Sequence, residues 1–224
     1  MKGKLIVFEG TDGSGKATQT RLLAERLQKE GKALRQITFP RYDNDSSALI
    51  RMYLGGEFGT EPGDVNAYAA SAFYAVDRFA SYKQDWGKFY ESGGLIVADR
   101  YTTSNAVHQA SKLPAEEREA FFDWLGDLEY GKLGLPQPDL VLYMDMPTEK
   151  AVEMLRSREN QTNTQADIHE VDTDYLRLCR ETALQAAEFY GWKKTACVNG
   201  EGTLRSIEEI SAEIWEQVSK ELNE

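Results

Sequence analysis

The stretch Leu5-Ile6-Val7-Phe8-Glu9-Gly10-Thr11-Asp12-Gly13-Ser14-Gly15-Lys16-Ala17-Thr18 decides the fold of this chain. An apolar strand runs into a glycine-rich loop that ends in Gly-Lys, and a helix-forming stretch follows. That order builds a phosphate cradle. Glycine lets the backbone bend so that several N–H groups converge on one anion. A helix beginning near Gly15 adds the positive end of its dipole. Lys16 brings a point charge to the β- and γ-phosphates. Gly10, Thr11, Asp12, Gly13, Ser14, Gly15, Lys16, Ala17 and Thr18 are thus expected to hold the phosphates of a nucleoside triphosphate. One position departs from the usual pattern. Ala17 stands where a hydroxyl normally meets Mg²⁺, and Thr18 comes one residue late. Magnesium keeps several waters, so a water can fill that position.

Working outward, short β-type runs alternate with longer helical ones. Strands are expected at Leu5–Phe8, Leu34–Phe39, Leu95–Ala98, Leu140–Met144 and Thr195–Val198. Helices are expected at Ala17–Glu30, Ser46–Tyr53, Val65–Glu91, Tyr101–Ala110, Glu116–Glu129, Thr148–Arg158, Asp167–Tyr190 and Ser206–Glu221. Gly31 stops the first of these. The polar, aperiodic run Asn160–Ala166 reads as a mobile loop. Strands alternating with helices imply an α/β fold, a parallel sheet of five strands covered by helices on both faces. No linker-like composition divides the chain, so residues 1–224 are read as one domain.

Bulk properties narrow the function classes. The 224 residues carry a net charge of −11, which disfavours non-specific binding to nucleic acid or to an anionic membrane. An enzyme for phosphates must then place its cations locally. The two cysteines, Cys179 and Cys197, lie far apart and suggest neither a metal site nor a disulfide. The N-terminal apolar run breaks at glycine, unlike a signal peptide, and no apolar stretch is long enough to span a bilayer. A cytoplasmic protein is expected.

In a parallel sheet of this kind ligands gather at the carboxyl ends of the strands. The residues there are Glu9 to Lys16, Pro40 to Asp43, and Asp99 to Tyr101, all rich in charge. Leu95-Ile96-Val97-Ala98-Asp99 is an apolar strand ending in an acid, the form of a second phosphate-site element whose carboxylate holds Mg²⁺. Arg100 beside it can clamp a phosphate and stabilise transferring charge. Tyr74 and Arg78 are four residues apart on one helix, so a ring and a fork of donors share a face. That pair suits a flat heterocycle stacked on Tyr74 with Arg78 at its exocyclic oxygen.

With these residues on view, the chain resembles the thymidylate kinases, within the nucleoside monophosphate kinase group of P-loop proteins. The resemblance covers nearly the whole length. Its anchors are Glu9 to Lys16, Phe39-Pro40-Arg41-Tyr42, Tyr74-Ala75-Val76-Asp77-Arg78, Asp99 to Asn105, Gly134-Leu135-Pro136-Gln137-Pro138-Asp139, and Asp167-Ile168-His169-Glu170. It implies the three-layer P-loop NTPase fold with a lid at about residues 156–170. It also implies that Asp12 accepts a hydrogen bond from the sugar 3′-hydroxyl, and that Tyr42, Arg51 and Arg100 hold the 5′-phosphate of dTMP. Tyr74 would stack on thymine and Arg78 would meet its O4. Ser104 falls within the Asp-Arg-Tyr motif, and Asn105 or Gln109 would meet the polar edge of the base. His108 falls where many members have a tyrosine beside the sugar 2′ position. Glu170 matches an acid near the sugar and metal. Family members carry a catalytic arginine in the P-loop or in the lid. Gly13 occupies the P-loop position here, which leaves Arg156 and Arg158. The resemblance further implies a homodimer.

The expected reaction is ATP-dependent phosphorylation of dTMP to dTDP, with Lys16, Arg100, Arg156, Arg158 and Asp99 as catalytic groups and Mg²⁺ held at Asp99. The acceptor oxygen is already nucleophilic, so no general base is assigned. Other readings are a kinase for another pyrimidine monophosphate or for a deoxynucleoside. A thymine methyl is worth only about 1–3 kcal/mol in an apolar pocket. A nucleoside kinase would need a base for a neutral 5′-hydroxyl and would not need Tyr42, Arg51 and Arg100 together. A different class is a non-catalytic nucleotide sensor, with Ala17 marking lost metal chemistry.

Overall fold

Alternation along β1 (Leu5–Glu9) sets the layers of the molecule. Successive side chains of a strand point to opposite faces. Leu5 and Val7 enter one apolar cluster, while Ile6 and Phe8 enter another on the far side of the sheet. All five residues of β1 are buried. The computed structural model describes residues 2–61, 63–157 and 173–223 in full, and the backbone of 158–162.

Four further strands flank β1: β2 (Leu34–Thr38), β3 (Leu95–Asp99), β4 (Leu140–Asp145) and β5 (Lys193–Ala196). They form one sheet in the order β2-β3-β1-β4-β5, with every pairing parallel. The edge strands β2 and β5 carry exposed Arg35, Gln36, Lys193 and Lys194. Charged edges of this kind resist pairing with another chain. The helices are α1 (Lys16–Lys29), α2 (Ala48–Leu54), α3 (Ala67–Ser81), α4 (Gly87–Glu91), α5 (Thr102–His108), α6 (Arg118–Gly126), α7 (Thr148–Thr162), α8 (Thr173–Tyr190) and α9 (Ile207–Asn223).

Both faces of the sheet are covered, as a parallel sheet requires. On one face Leu23 and Leu27 of α1 and Ile210, Ile214 and Val218 of α9 pack with Ile6, Phe8, Val97 and Leu142. On the other, Ala106, Phe121, Phe122 and Ala183 from α5, α6 and α8 pack with Leu5, Val7, Ile96 and Val141. Each fully buried Leu or Phe contributes about 1.5–3 kcal/mol. Gly31, at φ 75°, ends α1 as expected. Its N–H reaches Gln28 O and the Lys32 N–H reaches Leu27 O, a pair of bonds that closes the last turn.

Several boundaries differ from the sequence reading. The expected helix Val65–Glu91 is α3 and α4 joined by a π-helical turn at Tyr82–Trp86. A second π turn, Asp127–Lys132, follows α6. β5 begins two residues earlier than Thr195, because Lys193 and Lys194 pair with Leu142 and Tyr143 despite their charge. α7 continues through Thr162, so residues 160–162 are helical and not loop. No glycine or proline stands between Thr148 and Thr162 to stop it. The rest of the expected loop and lid, 163–170, lies outside the described residues. Among the described residues no helix is long and apolar enough to cross a membrane.

Candidate active site

The central position of β1 brings two charged loops side by side. Phe8 pairs with Asp99 in register, and the Arg100 N–H donates to Phe8 O at 3.0 Å. The P-loop therefore leaves β1 next to the Asp99-Arg100 end of β3. Gly15 sits at φ 85° immediately before α1. No side chain caps α1 and no acid occupies its first turn, so its leading N–H groups and its dipole are left for an anion. Gly13, at φ 80°, is pressed against α7, where a Cβ would come within 2.4 Å of Ala151 O.

The P-loop side chains are tightly wired. Lys16 is buried and its ammonium donates to Thr11 O at 2.9 Å, with Asp12 Oδ1 at 3.8 Å. Burial and then the Arg100 charge press its pKa below the ordinary lysine value. Thr20 donates to Lys16 O within α1. Ala17 is exposed. The Thr18 side chain lines a groove between α1 and α9 with Leu22, Ile207 and Ser211. Ser14 Oγ is buried and unpartnered among the described residues.

Arg100 is the hub of the phosphate end. It adopts φ 67°, a left-handed conformation rare for a residue with a side chain. Its Nη2 donates to Asp12 Oδ1 at 2.5 Å, and Nη1 reaches Ser104 Oγ at 3.3 Å and His108 Nε2 at 3.1 Å. Burial opposes the Arg100 charge, but Asp12, Glu9 and Asp99 outweigh it and raise its pKa. Burial likewise acts to raise the pKa of Asp12, yet Arg100 and Lys16 hold that carboxyl well below the usual range. Asp99 behaves differently. Burial pushes its pKa up, against the pull of Lys16 and Arg100, and its Oδ1 is buried with no hydrogen-bond partner among the described residues. A desolvated carboxylate oxygen without a donor, beside a phosphate loop, fits a divalent cation. Glu9 is fully buried and takes hydroxyl donors from Thr103 at 2.7 Å and Ser104 at 2.6 Å, which anchors α5 to β1.

A cavity of ≈ 290 Å³ opens beside this phosphate end. Asp12, Tyr42, Tyr74, Arg78, Arg100, Ser104, Asn105, His108 and Gln109 all line it, so most of the expected nucleotide contacts do converge. Tyr74 is half-buried along one wall. Arg78 closes the far end at 1% exposure. Its Nε and Nη2 donate to Glu129 Oε2 at 2.6 Å and Oε1 at 2.5 Å, and Nη1 donates to Tyr101 O at 3.3 Å. Gln109 is buried and its Oε1 has no partner among the described residues, so a polar atom is available near the base end.

Other expected residues lie elsewhere. Arg51 does not line the cavity. Its Nη1 ties down the preceding loop at Tyr42 O, Asn44 O and Ser47 Oγ, at 2.7, 2.9 and 2.7 Å. Arg41 serves a similar end: its N–H donates to Asp77 Oδ2 and its Nη2 reaches Ser46 Oγ. Arg156 is exposed on α7, one residue beyond Leu155, which faces Gly13. The Arg158 side chain and Glu170 lie outside the described residues.

The sequence reading missed Glu129, the carboxylate that orients Arg78. It also accepts from Thr102 Oγ1 at 2.8 Å and from Asn105 Nδ2 at 3.4 Å. A signal was present. Phe122, Leu125 and Glu129 follow helical spacing, and an acid on an apolar stripe must find a partner. Tyr53 and Tyr175, also in the cavity wall, carried no comparable signal.

Known proteins resemble this chain in sequence and in fold. The sequence profile described as thymidylate kinase covers residues 8–214. A thymidylate kinase of Mycobacterium tuberculosis is 32% identical over 155 residues, 69% of this chain and 71% of that one. A probable thymidylate kinase of Pyrococcus abyssi is 27% identical over 222 residues, 99% and 98% of the two chains. A solved structure of thymidylate kinase from Candida albicans superposes with a TM-score of 0.71 at 21% identity, covering 99% of this chain and 93% of that one. The last of these bears on the fold, a P-loop sheet with helices around it. The profile spans the P-loop, Arg100 and the residues that line the cavity alike, and this chain belongs to the thymidylate kinase family.

Proposed function

We propose that the protein transfers the γ-phosphoryl group of ATP to the 5′-phosphate of dTMP, giving ADP and dTDP. The observation that carries the reading is the layout of one cavity. Tyr74 and Arg78 form an end suited to a pyrimidine, and Arg100 forms an end suited to a phosphate, directly beside the P-loop. A nucleotide laid along that cavity would present its phosphate toward Lys16 and the start of α1.

An oxygen of the acceptor phosphate attacks the γ-phosphorus as the bond to the β–γ bridging oxygen breaks. The attacking oxygen is anionic at neutral pH, so positioning and charge stabilisation supply the catalysis. In this reading Lys16 and the leading N–H groups of α1 receive the phosphates of ATP, and Arg100 holds the acceptor phosphate. Tyr42 and the loop tied down by Arg51 border the same space. Arg78, fixed by Glu129, keeps unengaged N–H donors for a carbonyl of the base. Arg156 and Arg158 are the candidates to reach the transferring group from a lid at about 156–170. Asp99 would hold Mg²⁺, directly or through water, and the ion would neutralise charge on the transferring phosphate.

Oligomerisation and location are part of the same proposal. Exposed Leu49, Tyr68 and Val76 on α2 and α3 are large apolar side chains that a homodimer contact would cover. Two free, buried thiols suit a reducing, cytoplasmic setting.

The test is ADP production with Mg-ATP and each of dTMP, dUMP, UMP, CMP and no acceptor, beside Arg100→Ala. Turnover favouring dTMP and lost in the variant is expected. Turnover favouring another monophosphate would overturn the base assignment. ATP binding without turnover on any acceptor would leave a nucleotide sensor.

A further inference from the structure

We propose that His108 is the positioning residue for Arg100: a neutral imidazole, protonated on Nδ1, whose Nε2 accepts the Arg100 Nη1–H and aims the guanidinium at the acceptor phosphate. The proposal rests on the dTMP kinase reading for its consequence, and on geometry alone for the strut itself.

The tautomer follows from donor chemistry. A guanidinium has five N–H donors and no acceptor, and it stays charged. In the 3.1 Å contact with Arg100 Nη1, His108 Nε2 must therefore bring its lone pair. The ring proton then sits on Nδ1, which faces Tyr175 Oη at 3.2 Å and Cys179 Sγ at 3.5 Å. Both come from α8, so the ring is held from one side by α8 and holds Arg100 on the other. Its ring stacks near that of Tyr175, with centroids 6.3 Å apart.

Arg100 needs such a hold. Its backbone is in the left-handed region, a conformation that persists only where surrounding contacts hold the residue. Ser104 and His108 are four residues apart on α5 and share one face, and both receive Nη1. Asp12 on the P-loop receives Nη2. The fork is thus gripped by α5 at one nitrogen and by the P-loop at the other. Nε–H and one Nη2–H have no acceptor among the described residues and are free for a phosphate.

The neutrality of the strut matters. A further carboxylate here, added to Glu9, Asp12 and Asp99, would draw the arginine's field away from a phosphate. A cation would repel it. An uncharged acceptor fixes direction and leaves the charge for the ligand. The imidazole also spends both nitrogens doing so.

Two measurements test this. In the uncomplexed protein, ¹⁵N-histidine NMR at neutral pH should show His108 with a pyridine-type Nε2 and a pyrrole-type Nδ1. A proton on Nε2 overturns the strut. Kinetically, His108→Leu should raise KM for dTMP about tenfold or more, the effect of losing one charged hydrogen bond, with KM for ATP changed less. His108→Gln places an amide oxygen near the Nε2 position and should restore most of the loss at equal thermal stability. Leu and Gln variants equal to each other, whether active or impaired, would overturn the positioning role. If the wild-type protein phosphorylates no monophosphate, the functional reading fails, and the NMR result alone decides the strut.

Discussion

Arg78 and Glu129 form a fully enclosed ion pair, with Nε–Oε2 at 2.6 Å and exposures of 1% and 0%. It joins α3 to the π turn after α6 and stands at the end of the cavity that Arg78 closes, across from Arg100. Burial works against the Arg78 charge, and Glu129 more than offsets it. Removing one partner leaves a buried charge uncompensated, which costs about 3–5 kcal/mol. Glu129→Gln keeps the volume and loses the charge. It should lower Tm by roughly 6–20 °C, at the scale of about 2–4 °C per kcal/mol for a chain of this size. It should also raise KM for dTMP more than KM for ATP. Unchanged melting in a calorimeter would exclude the pair as a stabilising element of this cavity.

Two glycines of the P-loop separate backbone strain from crowding. Gly13 and Gly15 both have positive φ, 80° and 85°. Among the described residues an added Cβ at Gly15 meets nothing within 4 Å, while at Gly13 it would lie 2.4 Å from Ala151 O and 3.1 Å from Leu155 Cγ. Gly15→Ala should then cost only the left-handed penalty, about 1–2 kcal/mol. Gly13→Ala should cost more, because α7 or the loop must shift. Its affinity for an ATP analogue should fall further than that of Gly15→Ala. Calorimetric titration of both variants checks the order, and equal losses would remove α7 from the account.

The legible parts of this protein were those governed by local rules. The strand–glycine–lysine order of residues 5–18 marks a phosphate loop because each residue type acts on its own backbone. Three strand positions, β1, β3 and β4, followed from short apolar runs, and β2 from a β-type run stopped by Pro40. β5 slipped by two residues because it is an edge strand, where charged Lys193 and Lys194 are tolerated and the apolar signal weakens. Glu129 and the acceptor role of His108 were not legible in the same way. Glu129 lies 51 residues from its partner Arg78, and Tyr175, which faces the other nitrogen of the His108 ring, lies 67 residues from it. Spacing placed Arg78 on a helix face, but only the fold supplies the acid that orients it.

The acid limb of stability should carry the signature of His108. Its pKa is lowered to about 4, by burial first and then by Arg100. Glu9, Asp12 and Lys16 also act on it, and Ser104, Tyr175 and Cys179 are its other close neighbours around that hydrogen-bonded cluster. The unfolded chain protonates this histidine near its ordinary value of 6.5, and the folded chain does so only near 4. Between those limits the unfolded state binds more protons, so stability falls as pH drops from about 6.5 to 4. The Asp12 carboxyl adds its own loss only below its ordinary value of 3.8. Denaturant melts at pH 6.5, 5.5 and 4.5 should show a decline that His108→Gln flattens. Asp99, whose pKa is raised by burial, binds protons on folding and opposes this decline, so the difference between the two profiles is the readout, and identical profiles would contradict the neutral buried ring.

Asp99 separates stability from function most sharply. Its pKa is raised by burial, and its Oδ1 finds no donor among the described residues. At neutral pH the ionised carboxyl is therefore held at a cost to the folded state, in spite of Lys16 and Arg100 nearby. Asp99→Asn keeps the shape and removes the charge. Without nucleotide the variant should melt at or above the wild-type temperature. In the proposed reaction the same change removes the anchor for Mg²⁺ and should lower kcat about 10²–10³-fold, the scale for losing one preorganised electrostatic contact. Raised stability with lost turnover is the pattern of a group kept for chemistry. If Asp99→Asn melts well below wild type, the carboxylate serves the fold, and the cation must be held elsewhere.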